Sequence, residues 1–204
     1  MPDTAIWFDL DGTLIEIGDY GVILEQACEA VGIEGEARTT FVETYDEHFF
    51  DYLMALEPEP YTRAAAAGID AAEVDADAEA FVEELLDAEC ARTRVPEEVE
   101  ETLATLDEEY TLGVLTNGVT EWQREKLDHY GLTEYVDAVV VSEEAGAHKP
   151  NAAPFELAEE RVTAETFWMI GDDREADVEG AQAAGWNGVH VSSPESVPDA
   201  VDRI

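Results

Sequence analysis

Lysine is nearly absent from this chain of 204 residues. Lys126 and Lys149 are the only two, and lysine and arginine together number 10 against 50 aspartates and glutamates. The formal net charge of −40 argues against non-specific binding to nucleic acid or to an anionic membrane, both of which need clustered cations. Cysteine is scarce too. Cys28 and Cys90 lie far apart and in no Cys-x-x-Cys or Cys/His spacing, which speaks against a metal knuckle or a disulfide framework and predicts buried free thiols. Long apolar runs are missing, so no membrane span is expected. The start, Met1-Pro2-Asp3-Thr4, is not basic and no long apolar run follows, which predicts no secretory leader and a cytoplasmic protein.

What is present is a foldable composition, 46% hydrophobic and 9% aromatic, unlike that of acidic disordered chains. The acidity is spread along the whole chain and not held in a tail. Self-repulsion on that scale opposes compaction unless salt screens it, and at molar salt the Debye length is only about 3 Å. A halophilic protein is therefore expected.

Short apolar runs recur at Ala5 to Phe8, Leu112 to Leu115, Ala138 to Val141, Phe167 to Ile170 and Gly188 to Val191. The last four alternate with amphipathic stretches. Near-continuous apolar strands alternating with helices predict an α/β fold, a parallel sheet with helices on both faces. Between residues 15 and 94 the periodicity is helical, as in Phe41, Val42, Tyr45, Phe49, Tyr52 and Leu53. Pro58, Pro60 and Gly68 read as breaks there. The expected organisation is a core of residues 1–14 and 95–204 with a helical insert at 15–94.

In an open parallel sheet, ligands bind beyond the carboxyl ends of the strands. Asp9-Leu10-Asp11-Gly12-Thr13 follows the first run and Thr116-Asn117-Gly118 the second. Ser142 follows the third, with His148-Lys149-Pro150 a little beyond, and Gly171-Asp172-Asp173, then Asp177, the fourth. In so acidic a chain no one of these is informative by itself; their order at successive strand ends is. Asp9 and Asp11 are two apart on an extended segment and so point to the same side. With Asp172 they gather carboxylates that would repel one another without a cation. Oxygen ligands with no His or Cys favour a hard ion such as Mg²⁺. Thr120-Glu121-Trp122-Gln123 matches a capping box, so a helix N-terminus should offer N–H groups to an anion beside Thr116 and Asn117. Lys149 adds a positive charge. Carboxylates, a hard metal, an anion site and one lysine point to phosphoryl transfer.

These motifs resemble those of the haloacid dehalogenase-like (HAD) hydrolase superfamily, all four present in order. The resemblance implies a Rossmann-like core, with the helical insert as a cap that selects the leaving group. It implies that Asp9 is the nucleophile and forms an aspartyl-phosphate, and that Asp11 is the acid–base. Asp9, the backbone carbonyl of Asp11, and Asp172 would bind Mg²⁺, with Asp177 supporting it through water and Asp173 acting as a helix cap. Thr116, Asn117 and Lys149 would hold the phosphate of a small phosphorylated metabolite. Arg38 and Arg63 are the cap cations nearest an anion-recognition role. Dehalogenating relatives lack the second aspartate, and phosphonate-cleaving ones need a cap lysine that residues 1 to 125 do not supply. A sugar-phosphate mutase, a 2-haloacid dehalogenase and a non-catalytic acidic interaction protein stay open as alternatives. Neither the substrate nor the oligomeric state is legible.

Overall fold

The computed structural model describes residues 3–204; Met1 and Pro2, the first half of the stretch read for a leader, lie outside the described residues. The chain divides into two compact units. One comprises the segment up to Ile17 together with Arg94–Ile204, the other Gly18–Thr93. The first crossing comes three residues later than the expected 14/15. Ile15 is fully buried with Ile6 and Phe8, and Glu16 bridges Arg94, so both ends of the crossing belong to the sheet unit.

The sheet unit holds β1 (Thr4–Phe8), α5 (Glu97–Leu106), β2 (Thr111–Thr116), α6 (Thr120–His129), β3 (Ala138–Val141), α7 (Ser142–Ala145), α8 (Ala152–Arg161), β4 (Thr166–Gly171), α9 (Gly180–Ala183), β5 (Asn187–His190) and α10 (Val197–Val201). The strands are parallel in the order β3-β2-β1-β4-β5. Successive side chains of β1 serve opposite faces, as strand geometry requires. Ile6 and Phe8 pack with Val99, Leu103, Leu127 and Val197 from α5, α6 and α10. Ala5 and Trp7 pack with Phe155, Ala158 and Ala181 from α8 and α9. Both faces are covered, which is why the strands read as apolar runs and not as alternation. Because β2 and β4 flank β1, the chain reverses its winding there, and a crevice opens at the carboxyl ends of these three strands. Phe8 stands level with Val114 and Ile170, so residues just beyond them emerge together.

The second unit holds α1 (Tyr20–Ala30), α2 (Gly35–Met54), α3 (Pro60–Ala72) and α4 (Ala78–Arg92). Asp19 and Asp77 cap α1 and α4 by accepting from Val22 N and Ala80 N. Its centre is aromatic, with Phe41, Tyr45 and Phe81 fully buried. Pro60 begins α3, but Gly68 does not break it. Gly68 sits inside the helix where the Phe41 ring crosses, and a β-carbon there would collide with that ring. Neither cysteine forms a disulfide; Cys28 is buried and Cys90 half-buried. Arg38 pairs with Glu25 and Glu29, and Arg63 with Glu57 while stacking on Tyr52, so both guanidiniums are engaged within their own unit. Among the described residues no helix is long and apolar enough to cross a membrane.

Candidate functional site

Asp9 leaves β1 by donating its N–H to Ile170 O (2.9 Å), and the chain then curls so that Leu14 N and Ile15 N both return to Leu10 O. That curl holds Asp9 and Asp11 at the crevice. Across it, Lys149 is 4% exposed and uses all three protons: on Asp9 Oδ1 (2.8 Å), Asp177 Oδ1 (2.6 Å) and Leu115 O (2.7 Å). Asp177 Oδ2 also accepts Asp173 N (3.0 Å), and Asp172 accepts the Thr13 hydroxyl (3.2 Å). Gly12, at φ +82°, and Gly171 make room here. A β-carbon on the first would strike the Asp172 carboxylate, and one on the second that of Asp177.

One carboxylate oxygen from each of Asp9, Asp172 and Asp177 lies within 4.8 Å of the others. Asp177 is therefore one of the three clustered carboxylates, with both of its oxygens already accepting from Lys149 and Asp173. The cluster lines one cavity of about 240 Å³ together with Asp11, Thr116, Asn117, Lys149 and Asp173. Three buried or half-buried carboxylates facing one ammonium are short of positive charge. Burial, with Asp177 nearby, pushes the Asp9 carboxyl up to about 7 despite Lys149. Burial raises the Asp172 carboxyl too. Burial would depress the Lys149 ammonium, but Asp9 and Asp177 outweigh it and its pKa is raised. An all-oxygen set with this charge deficit fits a hard divalent cation such as Mg²⁺.

The carboxylate of Asp11 is not part of that cluster. Its Oδ1 pairs with Lys126 Nζ and its Oδ2 accepts Gln123 Nε2 (2.9 Å). The expected capping box is therefore absent. Val119 is the N-cap of α6, and Gln123 turns inward to Asp11, Thr116 Oγ1 (2.9 Å) and Asn117 O (3.2 Å). Asn117 spends its side chain on the Lys149 loop, accepting Lys149 N (2.8 Å) and donating to Lys149 O (3.2 Å). Thr120 N is taken by Glu143 (2.8 Å) and Gly118 N by Ser142 Oγ (3.0 Å). The α6 N-terminus therefore offers an anion less than expected, because a carboxylate already occupies its positive end. Ser142 Oγ in turn contacts His148 Nδ1 (2.8 Å), which braces the loop leading to Lys149. Asp173 caps the π-helical turn Arg174–Glu179 by accepting Glu175 N and Ala176 N.

The model of the haloacid dehalogenase-like hydrolase family matches residues 6–191. The chain belongs to this family. It is 33% identical to a ribulose-1,5-bisphosphate 5-phosphatase of Halopiger xanaduensis, over 98% of this chain and 88% of that one. Two solved HAD folds superpose along nearly the whole length. The HAD-hydrolase YfnB of Bacillus subtilis, described as magnesium-bound, has a TM-score of 0.70 at 18% identity and covers 99% of this chain and 100% of its own. A 2-haloacid dehalogenase of Pseudomonas syringae has a TM-score of 0.72 at 22% identity and covers 98% of each chain.

Sequence reading of this HAD core missed Gln123 and Lys126. A signal was available: both lie on the buried stripe of α6 with Trp122 and Leu127, where apolar residues are the rule. Lys126 is also one of only two lysines.

Two stability predictions follow from these charges. Lys149→Met removes the ammonium that pairs with both Asp9 and Asp177 and should cost about 3–5 kcal/mol in denaturant titration without Mg²⁺; unchanged stability would contradict the network. The raised Asp9 carboxyl favours the metal-free fold most below its unfolded value of 3.8, and that contribution is lost as pH rises through about 7. Asp9→Asn should therefore gain more melting temperature over wild type at pH 8 than at pH 5, where only part of that contribution has been lost. An equal difference at both pH values would show that Asp9 is not perturbed.

Proposed function

We propose that this HAD-like phosphatase hydrolyses a small-molecule phosphate monoester through an aspartyl-phosphate on Asp9, with Mg²⁺ as cofactor, in a salt-rich cytoplasm. The observation that carries the reading is the separation of two neighbouring carboxylates. Asp9 joins Asp172, Asp177 and Lys149, whereas Asp11 has its own partners, Gln123 and Lys126. Two carboxylates in different surroundings can take different roles.

In the first step an Asp9 carboxylate oxygen attacks phosphorus. The bond from phosphorus to the leaving oxygen breaks, and Asp11 gives that oxygen a proton. In the second step Asp11 takes a proton from water, whose oxygen attacks the same phosphorus. The bond to Asp9 breaks and inorganic phosphate leaves. Lys149 neutralises Asp9 and Asp177 so that an anionic ester can approach. Thr116 and Asn117 shape the phosphate side, Asn117 chiefly by holding the Lys149 backbone. Asp9, Asp172, Asp177 and the backbone carbonyl of Asp11 would hold Mg²⁺, which supplies charge stabilisation to the phosphoryl oxygens when bound. The helical unit Gly18–Thr93 would act as the cap that selects the leaving group.

Asp11 favours phosphatase over dehalogenase chemistry, because departure of a halide needs no proton. The test is a phosphate-release screen in molar KCl with Mg²⁺. It would cover ribulose 1,5-bisphosphate, glyceraldehyde 3-phosphate, phosphoserine and pyrimidine nucleotides. Release that EDTA abolishes and Mg²⁺ restores is expected. A phosphorylated isomer in place of free phosphate would favour a mutase.

A further inference from the structure

The scheme above gives Gln123 and Lys126 no task, yet their placement is costly. Lys126 is 1% exposed, and burying an ammonium costs several kcal/mol unless it is well paired. The chain keeps only two lysines, and each is buried against one aspartate of the first motif. Lys149 takes Asp9 and Lys126 takes Asp11. On α6, Gln123 and Lys126 are three apart and share a face, which lets them grip the two oxygens of Asp11 separately. Gln123 also bonds Thr116 Oγ1 and Asn117 O, so Asp11 is tied to the turn that follows β2. Asp11 follows Asp9 by two residues on the same side. Without these partners, a cation held by Asp9, Asp172 and Asp177 would attract it as a further ligand.

We propose that Lys126, assisted by Gln123, is a positioning residue that holds the Asp11 carboxylate apart from the Asp9–Asp172–Asp177 cluster, at the cavity wall where it serves proton transfer. The proposal rests on the acid–base reading of Asp11. Its test compares phenyl phosphate, whose leaving oxygen needs a proton, with 2,4-dinitrophenyl phosphate, whose leaving group departs as the anion. Lys126→Met should lower kcat on phenyl phosphate about 100-fold, the size of one general-acid contribution. On the dinitrophenyl ester the fall should stay below about threefold, with KM for both within about twofold. If Lys126→Met does not fold, Gln123→Leu should show the same contrast at about tenfold. An equal fall on both esters, or no fall on phenyl phosphate, overturns the proposal, because a purely structural role would not distinguish them.

Calorimetric titration with Mg²⁺ alone gives a readout that needs no turnover. Lys126→Met should tighten Mg²⁺ binding about tenfold as Asp11 joins the cluster, and the gain should vanish in an Asp11→Asn background. Tightening that persists there, or none at all, overturns the placement. A wild-type protein that hydrolysed neither aryl ester nor any metabolite of the phosphate-release screen would instead contradict the phosphatase reading, and the titration would still decide the role of Lys126.

Discussion

Asp9→Asn should lower turnover of any accepted phosphate ester by about 10⁴-fold or more while leaving the protein folded. The amide cannot act as the attacking oxygen, so no covalent intermediate forms. The fold should survive because Lys149 keeps Asp177 and Leu115 O, and the Asn carbonyl can still accept from it. The variant also removes the carboxyl that burial pushes up to about 7, so the metal-free protein should melt no lower than wild type near neutral pH. The measurement is steady-state phosphate release beside a melting curve, both in molar KCl. An active, folded Asp9→Asn protein would end the nucleophile assignment.

Salt should have an effect of comparable size, on the fold. The net charge is −40, and most of the exposed guanidiniums are already paired, Arg38 with Glu25 and Glu29, Arg94 with Glu16 and Glu195, and Arg124 and Arg161 with Glu144. The remaining surface carboxylates have only solvent ions to screen them. The Debye length falls from about 8 Å at physiological ionic strength to about 3 Å at 1 M, which removes most repulsion between neighbours. Raising KCl from 0.1 to 2 M should lift the melting temperature by at least about 10 °C, equivalent to several kcal/mol for a chain of this size. Dilution to low salt should produce loss of cooperative unfolding and of activity together. A sharp transition that ignores salt would contradict the halophilic reading. Activity screens in ordinary buffer would then be trustworthy.

Much of the core was legible because its strands are buried on both faces. Ile6 and Phe8 serve one layer and Ala5 and Trp7 the other, so β1 reads as an apolar run, and the residues after such runs must collect at one edge. That logic led to Asp9, Thr116, Lys149 and Asp172, which share a cavity. It could not lead to Gln123 and Lys126. The segment Thr120-Glu121-Trp122-Gln123-Arg124-Glu125-Lys126 reads as a charged, exposed helix, and only packing against the β1 loop shows which of its polar residues are interior. The capping-box pattern failed for the same reason: Gln123 makes better bonds across the crevice than to its own helix. Asn117 read as a donor to a ligand, but a backbone 32 residues away claims its amide. Gly68 read as a break because close packing against Phe41 leaves no trace in periodicity.

The central claim is a covalent phosphoryl group on Asp9. The most direct measurement is an acid-quenched single turnover at enzyme excess in molar KCl with Mg²⁺, followed by mass analysis of the peptide containing Asp9 and Asp11. One phosphoryl group on Asp9 should appear within the first turnover and decay as phosphate is released, and it should accumulate when Asp11→Asn slows its hydrolysis. Phosphate released at full rate with that peptide unmodified at every time point, in both proteins, would contradict the account.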